Sequence, residues 1–182
     1  ALAKLLLVAS LPVFAAGAAF EEVVETALRN PHVIATTTAV FGILLWAADR
    51  LGGRRRTLEA LGWSDALLIG LAQAMALVPG VSRAGVTMTA ARALGLDRRS
   101  AVRFSFLLAI PVILGASVFK AIDLVGSPQP MSWYVFGLGV VVSACSAWCV
   151  LVVFLRVIEK SGMLVFVLYR LLLAAFLFYW FQ

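Results

Sequence analysis

A short stretch in the middle of the chain combines residue types that can bind a phosphate group. It reads Pro79-Gly80-Val81-Ser82-Arg83-Ala84-Gly85-Val86-Thr87. Pro79 and Gly80 can end one helix in a sharp turn, and Ser82 is well placed to cap the next helix. The start of a helix offers free N–H groups and the positive end of its dipole, which together attract anions. The guanidinium of Arg83 adds a planar fork that fits phosphate oxygens.

We therefore predict a phosphate-binding loop that contains Ser82 and Arg83 as its chemically active residues. Gly80 and Gly85 would let a bulky anion approach the backbone, and Thr87 would help to shape the loop. A plainer alternative is that Ser82 only caps a helix and that Arg83 only snorkels or pairs with a carboxylate. The chain is apolar enough to lie in a membrane, and an arginine there is costly and usually functional. This favours the anion site.

Gln73 lies on the stretch that leads into this loop, and its role is open. It could form a hydrogen bond between packed helices, or it could line the cavity in which the loop would bind phosphate. Asp65, at the edge of the segment 64–95, is the only carboxylate of that segment. No metal ligand is therefore assigned from the sequence.

The composition places the chain in a membrane. It has 182 residues, of which 63% are hydrophobic and 13% charged, and its mean hydropathy is +1.04. A soluble domain is typically about 45–50% apolar and about 25% charged, so lipid must solvate much of this surface. The isoelectric point is near 10.0, but the basic residues form short clusters between apolar runs. That pattern is typical of membrane topology and argues against nucleic-acid binding.

Five segments are long enough to span a bilayer, which needs about 17–25 apolar residues. They are Leu2–Phe20, His32–Ala48, Val102–Phe119, Trp133–Leu155 and Met163–Trp180. The predicted fold class is an all-α polytopic membrane protein, with residues 1–182 forming a single transmembrane domain.

The segment 64–95 is predicted to enter and leave the membrane on the same side. Three links between spans are rich in basic residues: Arg50, Arg54, Arg55 and Arg56; Arg98, Arg99 and Arg103; Arg156 and Lys160. Basic links lie in the cytoplasm, and the first two can share that side only if the segment crosses an even number of times. Its two apolar halves reach only about 20 Å each, so we predict a re-entrant helix–loop–helix. The C-terminus is then extracytoplasmic.

The loop and a stretch downstream resemble one protein family. The relevant residues are Gln73-Ala-Met-Ala-Leu-Val-Pro-Gly-Val-Ser-Arg-Ala-Gly-Val-Thr and Phe104-Ser-Phe-Leu-Leu-Ala-Ile-Pro-Val-Ile-Leu-Gly. They are similar to the Pro-Gly-x-Ser-Arg-Ser-Gly-x-Thr and Ser-Phe-Leu-Leu-Ala-x-Pro motifs of the undecaprenyl-diphosphatase (bacitracin-resistance) family. The late pair Tyr169-Arg170 also resembles the family's terminal helix.

The resemblance implies an enzyme of the bacterial inner membrane. Its reaction is the hydrolysis of undecaprenyl diphosphate to undecaprenyl phosphate and inorganic phosphate. This recycles the lipid carrier for peptidoglycan synthesis and gives bacitracin resistance. The implied fold is an inverted repeat in which two re-entrant hairpins meet near the membrane midplane. Arg83 would hold the diphosphate, and Ser82 would hydrogen-bond the phosphate rather than attack it. A homodimer is one possible assembly.

The sequence departs from the family pattern in two ways. Ala84 stands where the family usually has a second serine. The family's acidic stretch, followed by Leu-Pro-Val-Ser-Ser-Thr-Gly-His, is absent. Glu21, Glu22 and Glu25 do not replace it, and we interpret them as a solvated face. We therefore expect the chain to correspond to the C-terminal two-thirds of the enzyme and to be inactive alone. The ligands of a divalent cation, Mg²⁺ or Ca²⁺, are expected upstream.

A function of a different class is kept as an alternative. Re-entrant hairpins with polar tips also form the sites of secondary transporters. The chain could therefore be a transporter or a polyprenyl-phosphate translocase with an anion-binding loop.

Overall fold

The computed structural model describes residues 2–26, 28–53, 56–125 and 132–181. These residues form seven α-helices: α1 (Leu2–Thr26), α2 (Pro31–Leu51), α3 (Trp63–Ala74), α4 (Arg83–Ala93), α5 (Arg98–Val125), α6 (Trp133–Ser161) and α7 (Leu164–Trp180). Short 3-10 turns cover Leu58–Ala60 and Met75–Leu77. Arg54 and Arg55, and the side chains of Glu21, Glu22, Glu25 and Lys160, lie outside what is described. The predictions made for them therefore stay predictions.

Four helices are long and apolar enough to cross a membrane. The qualifying stretches are Leu2–Phe20, Pro31–Leu51, Arg98–Ala121 and Trp133–Ile158. The fifth predicted span corresponds to α7, which has 17 residues and is a shorter apolar helix. The all-α polytopic membrane class is confirmed, and the protein crosses the membrane several times.

The described residues divide into two compact units. One comprises residues 1–114 and 163–182, and it contains the predicted loop. The other comprises residues 115–162 and consists of the end of α5 and all of α6. Helix α6 has the highest mean hydropathy of the four candidate spans, 2.5 over Trp133–Ile158.

Within the first unit, α1 packs against α3, α3 against α4, and α2 against both α4 and α7. The main hydrophobic core consists of Leu5, Ala9, Leu61, Ala66, Ile69, Ala91, Leu96, Ala101, Phe104 and Leu108. The contact between α1 and α3 is close, because a Cβ added to Gly70 would lie 2.9 Å from the Cα of Ala9. Small residues allow such an approach where helices associate without water.

Local sequence signals explain where α2 begins. The side chain of Asn30 accepts a hydrogen bond from the backbone N–H of His32 at 2.9 Å, and Pro31 occupies the first helical position. Both features are favourable at a helix N-terminus, because proline lacks the N–H that would be unsatisfied there.

Helices α3 and α4 form the predicted helix–loop–helix, and its two ends lie side by side. The N–H of Arg56 donates to the carbonyl oxygen of Gly95 at 3.2 Å, and the N–H of Asp97 donates to the carbonyl oxygen of Arg56 at 2.9 Å. The guanidinium of Arg56 bonds both carboxylate oxygens of Asp65 at 3.2 and 2.5 Å and the carbonyl oxygen of Leu94 at 3.0 Å. The hydrogen bond to Asp65 raises the pKa of Arg56.

The two adjoining ends form the base of the hairpin. A cluster of charged side chains joins this base to the end of α2. Arg92 is fully buried and lies 3.2 Å from Asp49, which also accepts from Arg98 at 2.6 Å. Arg92 also donates to two backbone carbonyl oxygens beside this cluster, that of Gly53 at 2.9 Å and that of Leu96. Buried charges are tolerated when they are paired and hydrogen-bonded in this way.

Candidate anion site at the tip of the helical hairpin

The tip of the hairpin, residues 79–82, has an unusual backbone. Gly80 has a φ of 90° and Ser82 a φ of 67°, and Ser82 is the only described non-glycine residue with a positive φ. L-residues rarely adopt such a conformation, and it persists only where the surroundings enforce it. The side chain of Val81 is buried with Phe41 and Val86, which anchors the turn between α2 and α4.

Ser82 is the N-cap of α4. Its hydroxyl accepts a hydrogen bond from the N–H of Gly85 at 3.3 Å, and its carbonyl oxygen accepts from Val86 at 2.9 Å. This is the capping role expected of serine before a helix. The positive end of the α4 dipole therefore lies at the tip.

Helix α2 holds the tip through two adjacent threonines. The hydroxyl of Thr37 lies 2.6 Å from the carbonyl oxygen of Pro79, and the hydroxyl of Thr38 donates to the carbonyl oxygen of Gly80 at 3.2 Å. Gly80 must be a glycine here, because an added Cβ would lie 2.5 Å from the carbonyl oxygen of Ile34. Thr38 and Asp49 are separated by about 17 Å along α2, so the tip lies deep along an apolar helix.

Helix α7 holds the tip from a second direction through Arg170. The guanidinium donates from Nη2 to Gly80 O at 2.7 Å, from Nη1 to Val81 O at 2.9 Å and from Nε to Thr38 O at 3.2 Å. Arg170 is 3% exposed. Arg170 was not among the predicted site residues, although a lone arginine in an apolar helix is itself a signal of a functional position.

Arg83 differs from the buried arginines Arg92 and Arg170 in its hydrogen-bond partners. It begins α4 directly after the tip and is partly exposed. Its Nη1 atom is buried, and within the described part of the chain it has no hydrogen-bond partner. An unsatisfied buried N–H of a charged group is unfavourable, so this atom is suited to receive an anionic oxygen.

The carboxylates of Asp49 and Asp65 lie at the opposite end of the hairpin and are paired with other arginines. Asp49 pairs with Arg92 and Arg98, and Asp65 pairs with Arg56. Among the described side chains, no carboxylate bonds Arg83 or Arg170. The tip is therefore electropositive in a low-dielectric setting, where a bound anion gains more than it would in water.

The remaining predicted site residues lie at different depths. Gly85 lies in the first turn of α4, beside the tip, whereas Thr87 lies in the second turn and its hydroxyl is 2.6 Å from that of Ser105. Gln73 is fully buried, and its Nε2 donates to the carbonyl oxygen of Ala9 at 3.4 Å. Its Oε1 is buried and has no hydrogen-bond partner among the described residues, so both interpretations of Gln73 stay open, and all of these site assignments stay predictions.

The described residues do not fit a metal site. Within them, no group of three or more His, Cys, Asp or Glu side chains could hold an ion. The only histidine of the chain, His32, lies at the start of α2 with its ring 6.4 Å from that of Phe178.

A known protein family matches almost the whole chain. The family model described as bacitracin resistance protein BacA matches residues 1–176. This chain belongs to the BacA family. Every residue that builds the tip and its supports, from Thr37 to Arg170, lies within the BacA-matched region.

Three curated relatives are each named undecaprenyl-diphosphatase. The chain is 49% identical over 179 residues to the protein of Alcanivorax borkumensis, covering 98% of this chain and 68% of that protein. It is 50% identical over 173 residues to that of Teredinibacter turnerae, covering 95% and 66%. For Chromohalobacter salexigens the identity is 46% over 174 residues, covering 96% and 66%. The chain spans about two thirds of the length of these BacA-family relatives.

Proposed function

We propose that this chain carries the diphosphate-binding part of an undecaprenyl-diphosphate phosphatase. In the reaction, water cleaves the phosphoanhydride bond, and the products are undecaprenyl phosphate and inorganic phosphate. The names of the relatives support the substrate, and the apolar helices suit a lipid carrier. The observation that carries the proposal is the buried Nη1 of Arg83, which has no partner in the described residues and lies at the start of α4.

Arg83 binds the phosphate oxygens and stabilises the charge that develops on the transferred phosphoryl group. Phosphoryl transfer depends mainly on positioning and on charge stabilisation, so one fixed guanidinium can contribute strongly. The N–H groups at the start of α4 add to this effect.

Ser82 binds phosphate through its hydroxyl proton. A hydroxyl has one donor and two acceptor positions, and the N–H of Gly85 uses one acceptor. The O–H can therefore donate to a phosphate oxygen. No described carboxylate or imidazole bonds Ser82, which supports binding rather than nucleophilic attack, because an attacking serine needs a base.

We also propose that the reaction uses a divalent cation, Mg²⁺ or Ca²⁺. The residues that the structure describes do not form a site for it, so its ligands belong to other residues. When bound, such an ion would neutralise charge on the diphosphate.

The proposed setting is the bacterial inner membrane, with an extracytoplasmic C-terminus and roles in peptidoglycan synthesis and bacitracin resistance. The backbone bonds between Arg56 and residues 95 and 97 support this topology, because they bring two basic links together. We also propose a homodimer as the assembly. Nucleic acid is not among the proposed partners.

The test is phosphate release from undecaprenyl diphosphate in detergent. The protein would carry the family's acidic segment upstream, and wild type, Arg83→Ala and the exposed control Arg103→Ala would be compared with and without Mg²⁺. We expect Arg83→Ala to lose about 100-fold or more and the control to retain activity. Full activity of folded Arg83→Ala would remove Arg83 from the mechanism.

Two further arms address the alternatives. No release by the extended wild type would favour the translocase, since detergent leaves no sides to cross. Residues 1–182 alone are expected to be inactive, and diphosphate hydrolysis by them would overturn that expectation.

A further inference from the structure

Arg170 is a cation at the seventh position of the 17-residue helix α7, and apolar residues surround it in the sequence. It is 3% exposed, and three of its five N–H groups bond backbone carbonyl oxygens. A guanidinium buried at this depth is tolerated only when its donors are satisfied. All three of these acceptors lie in α2 or at the tip.

The carbonyl oxygens of Pro79, Gly80 and Val81 are all engaged by side chains. Thr37 bonds Pro79 O, Thr38 and Arg170 bond Gly80 O, and Arg170 bonds Val81 O. A carbonyl oxygen carries partial negative charge and would repel a phosphate. Because three successive carbonyl groups are turned to α2 and α7, they do not compete with an anion for Arg83.

Two glycines provide the space for this side chain. A Cβ added to Gly85 would lie 2.9 Å from Arg170 Nη1, and a Cβ added to Gly42 would lie 3.4 Å from Arg170 Cβ. Gly85 was expected to admit an anion to the backbone. In the structure its open side faces Arg170 and Ser82 instead.

We propose that Arg170 is a positioning residue for the anion site. By holding the carbonyl oxygens of Gly80 and Val81, it fixes the turn that aims Ser82 and the start of α4 at the diphosphate. It does so without contacting the substrate. This inference rests on the proposed phosphatase function and adds α7 as a determinant of diphosphate affinity.

Arg170→Lys is the informative variant. Lysine keeps the charge but offers a single ammonium point instead of a planar fork, so it cannot reproduce bonds to three separate carbonyl oxygens. We expect its KM for undecaprenyl diphosphate to rise about tenfold or more, with a smaller change in kcat. Arg103→Ala, an exposed arginine outside the site, is the control.

Amide hydrogen exchange supplies a readout that does not depend on activity. In the same extended protein, Arg170→Lys should exchange faster at residues 80–87 while α1 and α3 stay protected. Gly85→Ala, which crowds Nη1, should accelerate the same amides. It serves as the second variant if Arg170→Lys does not fold.

The outcomes separate the two proposals. A wild type without phosphate release defeats the phosphatase function, whereas local exchange at 80–87 still reports on the Arg170 contacts. Unchanged KM and unchanged exchange in folded Arg170→Lys would overturn the positioning role. Faster exchange throughout the first unit would also overturn it, because it would show a general structural role.

Discussion

The hydroxyl of Thr37 lies 2.6 Å from the carbonyl oxygen of Pro79, and this contact ties the middle of α2 to the turn between α3 and α4. Thr37 also lies within hydrogen-bonding distance of carbonyl oxygens in its own helix, those of Val33 and Ile34. The contact with Pro79 is the shortest of the three. Its neighbour Thr36 is exposed, and among the described residues its hydroxyl bonds its own helix, at the carbonyl oxygen of His32.

Thr37→Val should loosen the tip without changing the shape of α2. Valine has nearly the same volume but no hydroxyl, so the carbonyl oxygen of Pro79 loses its partner. We expect a loss of about 1 kcal/mol in unfolding free energy and a lower kcat/KM, measured by thermal melting in detergent and by phosphate release. Thr36→Val is the matched control and should change neither. Equal effects of the two variants would contradict the role of the Pro79 contact.

Ser82→Ala distinguishes a phosphate-binding serine from an attacking one. Removal of one hydrogen bond to a charged group should lower kcat/KM about 10- to 100-fold, whereas removal of a nucleophile lowers kcat by about a millionfold. We expect the smaller loss. Ser82→Gly also lacks the hydroxyl, but it tolerates the φ of 67°, so it should melt no lower than Ser82→Ala. A millionfold loss in both variants would identify Ser82 as the nucleophile.

Gly80→Ala should be among the most damaging small substitutions in this chain. Alanine would be strained at a φ of 90°, and its Cβ would lie 2.5 Å from the carbonyl oxygen of Ile34. The left-handed backbone costs about 1–2 kcal/mol and the overpacking about 1–3 kcal/mol more. Melting in detergent is the measurement. Gly137→Ala is the control, since nothing lies within 4 Å of an added Cβ there, and equal melting of the two would contradict the close packing.

Asp49→Asn should weaken the base of the hairpin rather than its tip. Asp49 is 6% exposed and neutralises the fully buried Arg92 as well as Arg98. Removing one partner of a buried pair costs about 3–5 kcal/mol, because a charge is left uncompensated. We expect a strongly lowered melting temperature, with near-normal KM in the fraction that stays folded. Glu59→Gln, at an exposed carboxylate, should leave the melting temperature unchanged.

The sequence alone predicted the features that depend on neighbouring residues. Apolar runs fixed the membrane class, since lipid requires long uninterrupted helices. Pro79, Gly80 and Ser82 predicted the break between two short helices, and the turn and the cap are where they were expected. The segment predicted over 64–95 nearly coincides with α3 and α4, which run from Trp63 to Ala93, because these boundaries are set by local turn and capping preferences. That the segment is re-entrant stays a prediction.

Tertiary structure decided which distant residues meet at the tip. Thr38 and Arg170 are 132 positions apart, and Thr37 and Pro79 are 42 apart. The partner of Gln73 also could not be predicted from the sequence, because only packing between α1 and α3 placed it against Ala9. Spacing along one helix indicates which residues share a face, but no local pattern specifies the depth at which another helix crosses. The sequence therefore determined the membrane-embedded helices and the loop that separates α3 from α4. Only the packing of α2 and α7 against that loop decided which carbonyl oxygens are bound and which arginine is left with an open donor.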